Sequence, residues 1–276
     1  MVSLLIGSLA IAVVLLRVFS LPRTTESFVA ATLAGLCVQS AVLLGVGSIN
    51  LVAAQLVSLG VAFCGVAYAV YRLLRGRSFG VWPTLKLASS FIETISIVAV
   101  VIAFAAIAIS ARAPATGWDA GVAHLALPAE YARAGHIAPV AGNNYFAYPH
   151  LVHTLFAVAP GGLEKEAAQI TWLFGILLCS AAYFLTMRIG GERSACIAPA
   201  IIATTPLFIE QCSAPGIDVP YTATVIGAMC ALAAWKQERR IGWLVLAGVL
   251  AGSGCGIRCF CRPRTRCGRC ATSVGS

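Results

Sequence analysis

Apolar runs long enough to cross a lipid bilayer recur along this chain, and they limit its fold more than any motif does. Roughly 20 apolar residues in helical form span the hydrocarbon. Runs of about that length cover residues 2–22, 28–48, 52–71, 89–111, 167–187, 194–210, 217–235 and 241–257. A run at 147–159 is shorter and is expected to be half-inserted or re-entrant. Composition closes off the soluble alternative. Only 11% of residues are charged, against roughly 25% in a globular protein, too few to cover a wet exterior. The expected fold is all-α, a polytopic bundle of about eight transmembrane helices with short interfacial helices in the first large external loop. The first run lacks a basic leader and a small-residue cleavage site, so it is expected to be an anchor and not a removable signal peptide.

A net charge of +9 raises the question of nucleic acid. The basic residues sit in short clusters between apolar runs, with no basic stripe carrying interleaved aromatics, so nucleic acid is not expected as a partner. Their placement sets topology instead. Arg72, Arg75, Arg77 and Lys86 form the strongest basic loop, which the positive-inside rule assigns to the cytoplasm. Arg17, Arg23, Arg188, Arg193, Lys236, Arg239 and Arg240 then fall on the same side, provided that 147–159 is not a full crossing. The N-terminus and the loops 112–165 and 210–218 are consequently non-cytoplasmic, in a multi-pass protein of the cell (inner) membrane. The chain contains two aspartates, Asp119 and Asp218, and both fall on that outer side. Three regions are expected: N-terminal transmembrane helices (1–88), a second transmembrane module (89–257) and a Cys/Arg-rich tail (258–276).

The polar stretch from Arg112 to Asn144 carries most of the chemistry. Its segment Thr116-Gly-Trp-Asp119-Ala-Gly-Val-Ala-His124-Leu-Ala-Leu-Pro128-Ala-Glu130-Tyr131 predicts two short helices at the membrane surface. Thr116 is placed to cap the first, Pro128 suits the opening turn of the second, and Gly135 is placed to end it. Leu127 and Tyr131 share a face that can rest on lipid or on the bundle. Asp119 admits two roles. Thr116-x-x-Asp119 matches a capping box, and a carboxylate at the interface can also take a proton from an attacking hydroxyl. His124 lies on a neighbouring helical face and could meet the same substrate. His150 and His153 have a spacing compatible with metal, although an interfacial role accounts for both. Among Asn143, Asn144, Tyr145 and Tyr148, an aromatic belt explains the tyrosines, while the asparagines could hydrogen-bond a sugar. Asp218, in Ala214-Pro-Gly-Ile-Asp218-Val-Pro220-Tyr221, is either a helix-start acid favoured by the macrodipole or a second acid that binds a metal or positions an acceptor beside Asp119.

The ordered set Trp-Asp119-Ala-x-x-x-His124-x-x-Leu-Pro-x-x-Tyr131-x-x-x-Gly-x-Ile, then Asn143-x-x-x-x-Tyr148-Pro, then Asp218-Val-Pro, resembles bacterial C-type glycosyltransferases. Protein O-mannosyltransferases and the aminoarabinose transferases of lipid A are the near groups, and the resemblance covers about residues 90–257. It implies a polyprenyl-phosphate-linked sugar as donor and a glycan, lipid or protein as acceptor at the outer surface, with inversion at the anomeric carbon. It also implies that Asp119 is the essential acid and Asp218 a second acid. His124, Tyr131, Asn143, Asn144 and Tyr148 become candidates for substrate binding, Arg112, Arg133 and Lys165 for the phosphate, and a divalent metal ion is a candidate cofactor. The chain departs from the pattern in three places: Asp119 is followed by Ala120 where many relatives carry a second acid, four spans precede the motif where relatives usually place one, and the several further spans expected after residue 257 are replaced by the Cys/Arg-rich tail.

From Cys255 onward the composition changes abruptly to Arg, Cys, Gly and Pro. Cys259, Cys261, Cys267 and Cys270 could be read as a zinc site, but the spacing between the pairs is short for one. A shift of reading frame in GC-rich coding sequence accounts for the tail better, and on that expectation the chain could be an inactive fragment. Two further readings are a transporter or flippase, which needs ionisable groups inside spans such as Glu93, and a non-catalytic membrane scaffold in which both aspartates only cap helices.

Overall fold

Most of the apolar runs become helices, because a backbone in hydrocarbon can satisfy its N–H and C=O groups only within itself. The computed structural model describes residues 2–22, 24–75, 90–138, 140, 151–159 and 163–258. In chain order these form α1 (Val2–Val18), α2 (Thr25–Gly47), α3 (Leu51–Leu74), α4 (Phe91–Ser110), a π turn (Ala120–Leu125), α5 (Ala126–Ala134), α6 (Leu151–Ala157), α7 (Leu163–Thr204), α8 (Pro206–Ser213), α9 (Asp218–Glu238) and α10 (Ile241–Arg258). The described residues contain no strand. The all-α bundle is therefore as expected. By length and composition α2, α3, α4 and α7 can each cross a bilayer, and the bent pair α8–α9 makes a fifth; α1 and Ile241–Gly256 are shorter apolar helices. Phe63, Val101 and Ile102 on α3 and α4 are each more than 60% exposed, an apolar face that water would not tolerate and lipid does.

The long helix α7 is two arms joined at Gly191, whose φ of 77° and ψ of −172° suit only glycine. Its second arm ends sooner than the apolar run at 194–210 suggested. Pro206 pushes Thr205 into an extended conformation (φ −67°, ψ 124°), so the helix stops at Thr204 and α8 starts afresh. The chain then bends by 112° into α9. The run at 147–159 is described from Leu151, as the seven-residue α6, too short to cross. Its residues from Val152 to Ala157 are buried against α2, α5, α7 and α10.

Small and polar residues set the close approaches between helices, as expected where lipid supplies no hydrophobic drive for association. A side chain on Gly35 of α2 would put Cβ 2.5 Å from the Ser8 carbonyl oxygen of α1. Buried Gln39 of α2 reaches Ser58 of α3 at 3.4 Å. Trp172 of α7 donates its indole N–H to the Phe104 carbonyl of α4 at 3.2 Å, and Phe104 meets the rings of Trp172 and Phe208 edge-on. Glu93 is no intramembrane charge in mid-span. It occupies the first turn of α4 and closes a capping box with Ser90, which removes the clearest sign of a transporter.

Contacts divide the polar residues between two ends of the bundle. At one end Arg188 of α7 binds both carboxylate oxygens of Glu26 and reaches Gln237 and Glu238 of α9, while Arg240 donates to the Ser20 carbonyl. The opposite end gathers the loop after α4, the π turn, α5, α6 and the start of α9.

Candidate active site

The stretch 118–134 is one continuous helical rod, not the two short helices that the sequence suggested. Thr116 makes no cap hydrogen bond: Asp119 itself stands at the cap position of the π turn, with helical φ/ψ and no side-chain capping bond. Pro128 supplies the physical reason. It has no N–H to return to the carbonyl four residues back, that of His124, and its ring crowds that carbonyl. A wider turn just before it relieves the conflict. The consequence bears directly on the site. Five positions separate Asp119 from His124, and in an α-helix they would point to different sides. A π turn closes its bonds from i to i+5 and takes more residues per turn, so positions five apart come to face more nearly the same side.

Gly135 ends α5 in the left-handed conformation (φ 73°), as its position suggested. Its carbonyl accepts from the Leu51 N–H at 2.7 Å, and the Ile137 N–H donates to the Gly47 carbonyl at 2.8 Å, which fixes the rod to the turn between α2 and α3. Leu127 and Tyr131 are buried beneath it, so that face rests on the bundle and not on lipid. Tyr131, at 1% exposure, is thus part of the packing that holds the rod, and burial pushes its phenol above the ordinary range. At the other edge, the Ala115 N–H donates to the Glu164 carboxylate in the first turn of α7. Sequence reasoning passed over Glu164; its signal was an acid at a helix start facing a glycine- and proline-rich loop.

At the centre of the site His124 and His153 meet. Nδ1 of His124 lies 3.0 Å from Nε2 of His153, with ring centres 5.2 Å apart and planes 26° from parallel. His124 is half-buried, and His153, on α6, is 2% exposed and packed edge-on against Phe156. The sequence set His153 beside His150; the structure sets it beside His124. Desolvation lowers the pKa of His124 below its ordinary value, and the carboxylates of Asp119 and Asp218 oppose that shift. Both acids therefore act on one histidine, although they come from distant parts of the chain.

Asp218 is the first residue of α9 and is exposed. Its loop is tied to α7 through buried Thr171, whose hydroxyl accepts the Gly216 N–H at 3.4 Å and whose carbonyl faces the Cys212 thiol at 3.8 Å. Of the basic candidates, Arg112 and Lys165 are exposed at this end, and Arg133 forms an ion pair with Glu130 one turn back. Asn143, Asn144 and Tyr148 lie outside the described residues, as does His150. Among the described residues no three His, Cys, Asp or Glu side chains are grouped so as to hold a metal ion. An apolar groove of about 310 Å³ runs between α9 and α10, lined by Tyr221, Val225, Met229, Leu232, Ala251 and Gly254 among others. Tyr221 lies one turn beyond Asp218.

No curated protein and no solved structure matches the chain. Residues 145–261 match the family model described as dolichyl-phosphate-mannose-protein mannosyltransferase. That stretch is under half of the chain; it holds His153, the Thr171 tether, Asp218 and the groove, while Asp119 and His124 precede it. The match supports, in broad terms, a kinship with the C-type membrane glycosyltransferases.

Proposed function

We propose that this protein transfers a sugar from a polyprenyl-phosphate carrier to a hydroxyl or amide acceptor on the non-cytoplasmic side of the membrane, with Asp119 as the general base. The observation that carries the reading is that exposed Asp119, at one end of the bundle, opens the turn whose His124 meets His153, a residue within the stretch that matches the mannosyltransferase family model. The opposite end holds Arg188, Arg239 and Arg240, and the positive-inside rule places such an end in the cytoplasm. A polyprenyl tail stays in hydrocarbon, which keeps its phosphate and sugar at the interface where both acids stand. The groove beside Tyr221 is apolar and opens on the bundle surface, fitting part of such a tail.

In the transfer, the acceptor oxygen loses its proton to the Asp119 carboxylate and attacks the anomeric carbon. The bond from that carbon to the phosphate oxygen breaks, its electron pair leaves with the polyprenyl phosphate, and the configuration inverts. Asp119 is exposed and free of a capping duty, so it can approach an acceptor. Asp218 positions the acceptor across the site. Arg112 and Lys165 stand ready to offset charge on the departing phosphate; Arg133 would first have to leave Glu130.

The test is transfer by the reconstituted protein from a polyprenyl-phosphate sugar, native against Asp119→Asn. Loss of roughly 100-fold or more, in keeping with removal of a general base, at unchanged membrane insertion supports the reading. Equal rates would remove Asp119 from the chemistry.

A further inference from the structure

The histidine pair is more than packing. Facing nitrogens 3.0 Å apart with ring centres 5.2 Å apart place both nitrogens close to the line that joins the centres. The contact therefore runs edge to edge, within two nearly coplanar rings, as an N–H···N hydrogen bond requires, and is not a face-to-face stack. One nitrogen of the two must donate and the other accept. His153 is the buried partner, fixed on α6 among Val152, Leu155 and Phe156; His124 is half-buried and belongs to the turn that carries Asp119.

We propose that His153 is a positioning residue: its Nε2 accepts the Nδ1–H of His124, which leaves Nε2 of His124 as a bare nitrogen that takes up the proton Asp119 removes from the acceptor. The role as proton carrier rests on the transferase reading above; the tautomer does not. The proton balance is simple. The acceptor O–H bond breaks, the proton passes through the Asp119 carboxylate to Nε2 of His124, and Asp119 returns to its ionised form. The imidazolium so formed keeps its hydrogen bond, because Nδ1 still donates to His153. A second proton on the pair would set two N–H groups against each other, so the pair stores one. The elements packed on the pair carry Asp119 ahead of the turn, Glu164 and Glu166 in the first turn of α7 and Tyr131 on α5, with Asp218 at the start of α9.

The test is nitrogen NMR of ¹⁵N-histidine-labelled protein in nanodiscs at neutral pH, alongside transfer rates. The expected spectrum shows His124 with a protonated Nδ1 and a bare Nε2, and His153→Phe, which fills the space but cannot accept, lets His124 interconvert between tautomers. His153→Gln, whose amide oxygen can accept, restores the locked form. Transfer should fall roughly 100-fold in His153→Phe, with its pH profile displaced, and recover in His153→Gln. A His124 with protonated Nε2 in the native protein overturns the inference, as does a His153→Phe variant that keeps the native spectrum and rate. A locked tautomer in a protein that transfers no sugar would leave the positioning role standing and sink the transferase reading instead.

Discussion

The two ends of the bundle are built on opposite plans. At the basic end the central charge is fully engaged. Arg188 is clasped by Glu26 and Glu238, Gln237 adds an amide oxygen, and the Trp243 indole donates to Glu238 at 2.9 Å. Helix α2, helix α7 and the junction of α9 with α10, far apart in sequence, are thereby fastened together. At the acidic end Asp119 and Asp218 are exposed, Asp119 makes no side-chain capping bond, and the polar pair behind them is a titratable one, half-buried His124 and buried His153. Saturated charges hold a fold, whereas exposed acids in front of a half-buried base are free to meet a substrate, as the proposed function requires. The contrast makes stability the property to be lost at one end and activity the property to be lost at the other.

The sharpest way to break that contrast is Arg188→Met. Removing one partner from a largely buried ion pair leaves uncompensated charge, typically at a cost of about 3–5 kcal/mol, and Glu26 and Glu238 would both be stranded. A large fall in thermal midpoint in nanodiscs is expected, with specific activity retained in whatever fraction stays folded. An unchanged midpoint would mean that the clasp is ornamental. Gly35→Leu comes next. Its side chain cannot fit against the Ser8 carbonyl, and overpacking of this kind costs about 1–3 kcal/mol; it should loosen α1 without altering the pH profile of transfer.

Glu164→Gln touches the acidic end more gently. The amide oxygen can still accept the Ala115 N–H, but a charge-assisted bond becomes a neutral one. A loss of about 1 kcal/mol or less is expected in stability, together with a several-fold slower transfer as the loop before Asp119 gains freedom. A normal rate would show that this tether does not position the acid.

The smallest effect is in pH dependence. The folded pKa of His124 lies below its ordinary value because it is half-buried. The unfolded chain therefore binds this proton more readily than the folded one, so the stability involved is full above about pH 6.5, the ordinary histidine value, and is lost as pH falls through that value towards the folded pKa. His124→Gln should flatten the fall in thermal midpoint between neutral and mildly acidic pH. A slope that persists unchanged would assign the titration to another group.

Much of this contrast was legible from residues alone. Basic clusters after apolar runs suggested which residues share an end, and the structure brings Arg240 to Ser20 and Arg188 to Glu26. Gly135 signalled the end of α5 because only a residue without Cβ takes its φ comfortably. The site itself was half legible. Both aspartates fell at one end, but the meeting of His124 with His153 depends on a π turn, and helical periodicity assumes a uniform rise that Pro128 upsets. Pro206 was likewise in plain view, yet the apolar run around it concealed the break before α8. The Arg188 clasp was missed for another reason: Glu26 and Glu238 lie far from Arg188 in sequence, and its arginine had already been explained by topology.

The most direct measurement is a double-mutant cycle of transfer rate on Asp119→Asn and Asp218→Asn in the same reconstituted vesicles. If the two acids serve one site around His124, their effects will be strongly non-additive, with the double variant about as slow as Asp119→Asn alone. Effects that simply multiply, or a double variant that transfers sugar at the native rate, would contradict the claim that this end of the bundle is a single catalytic site.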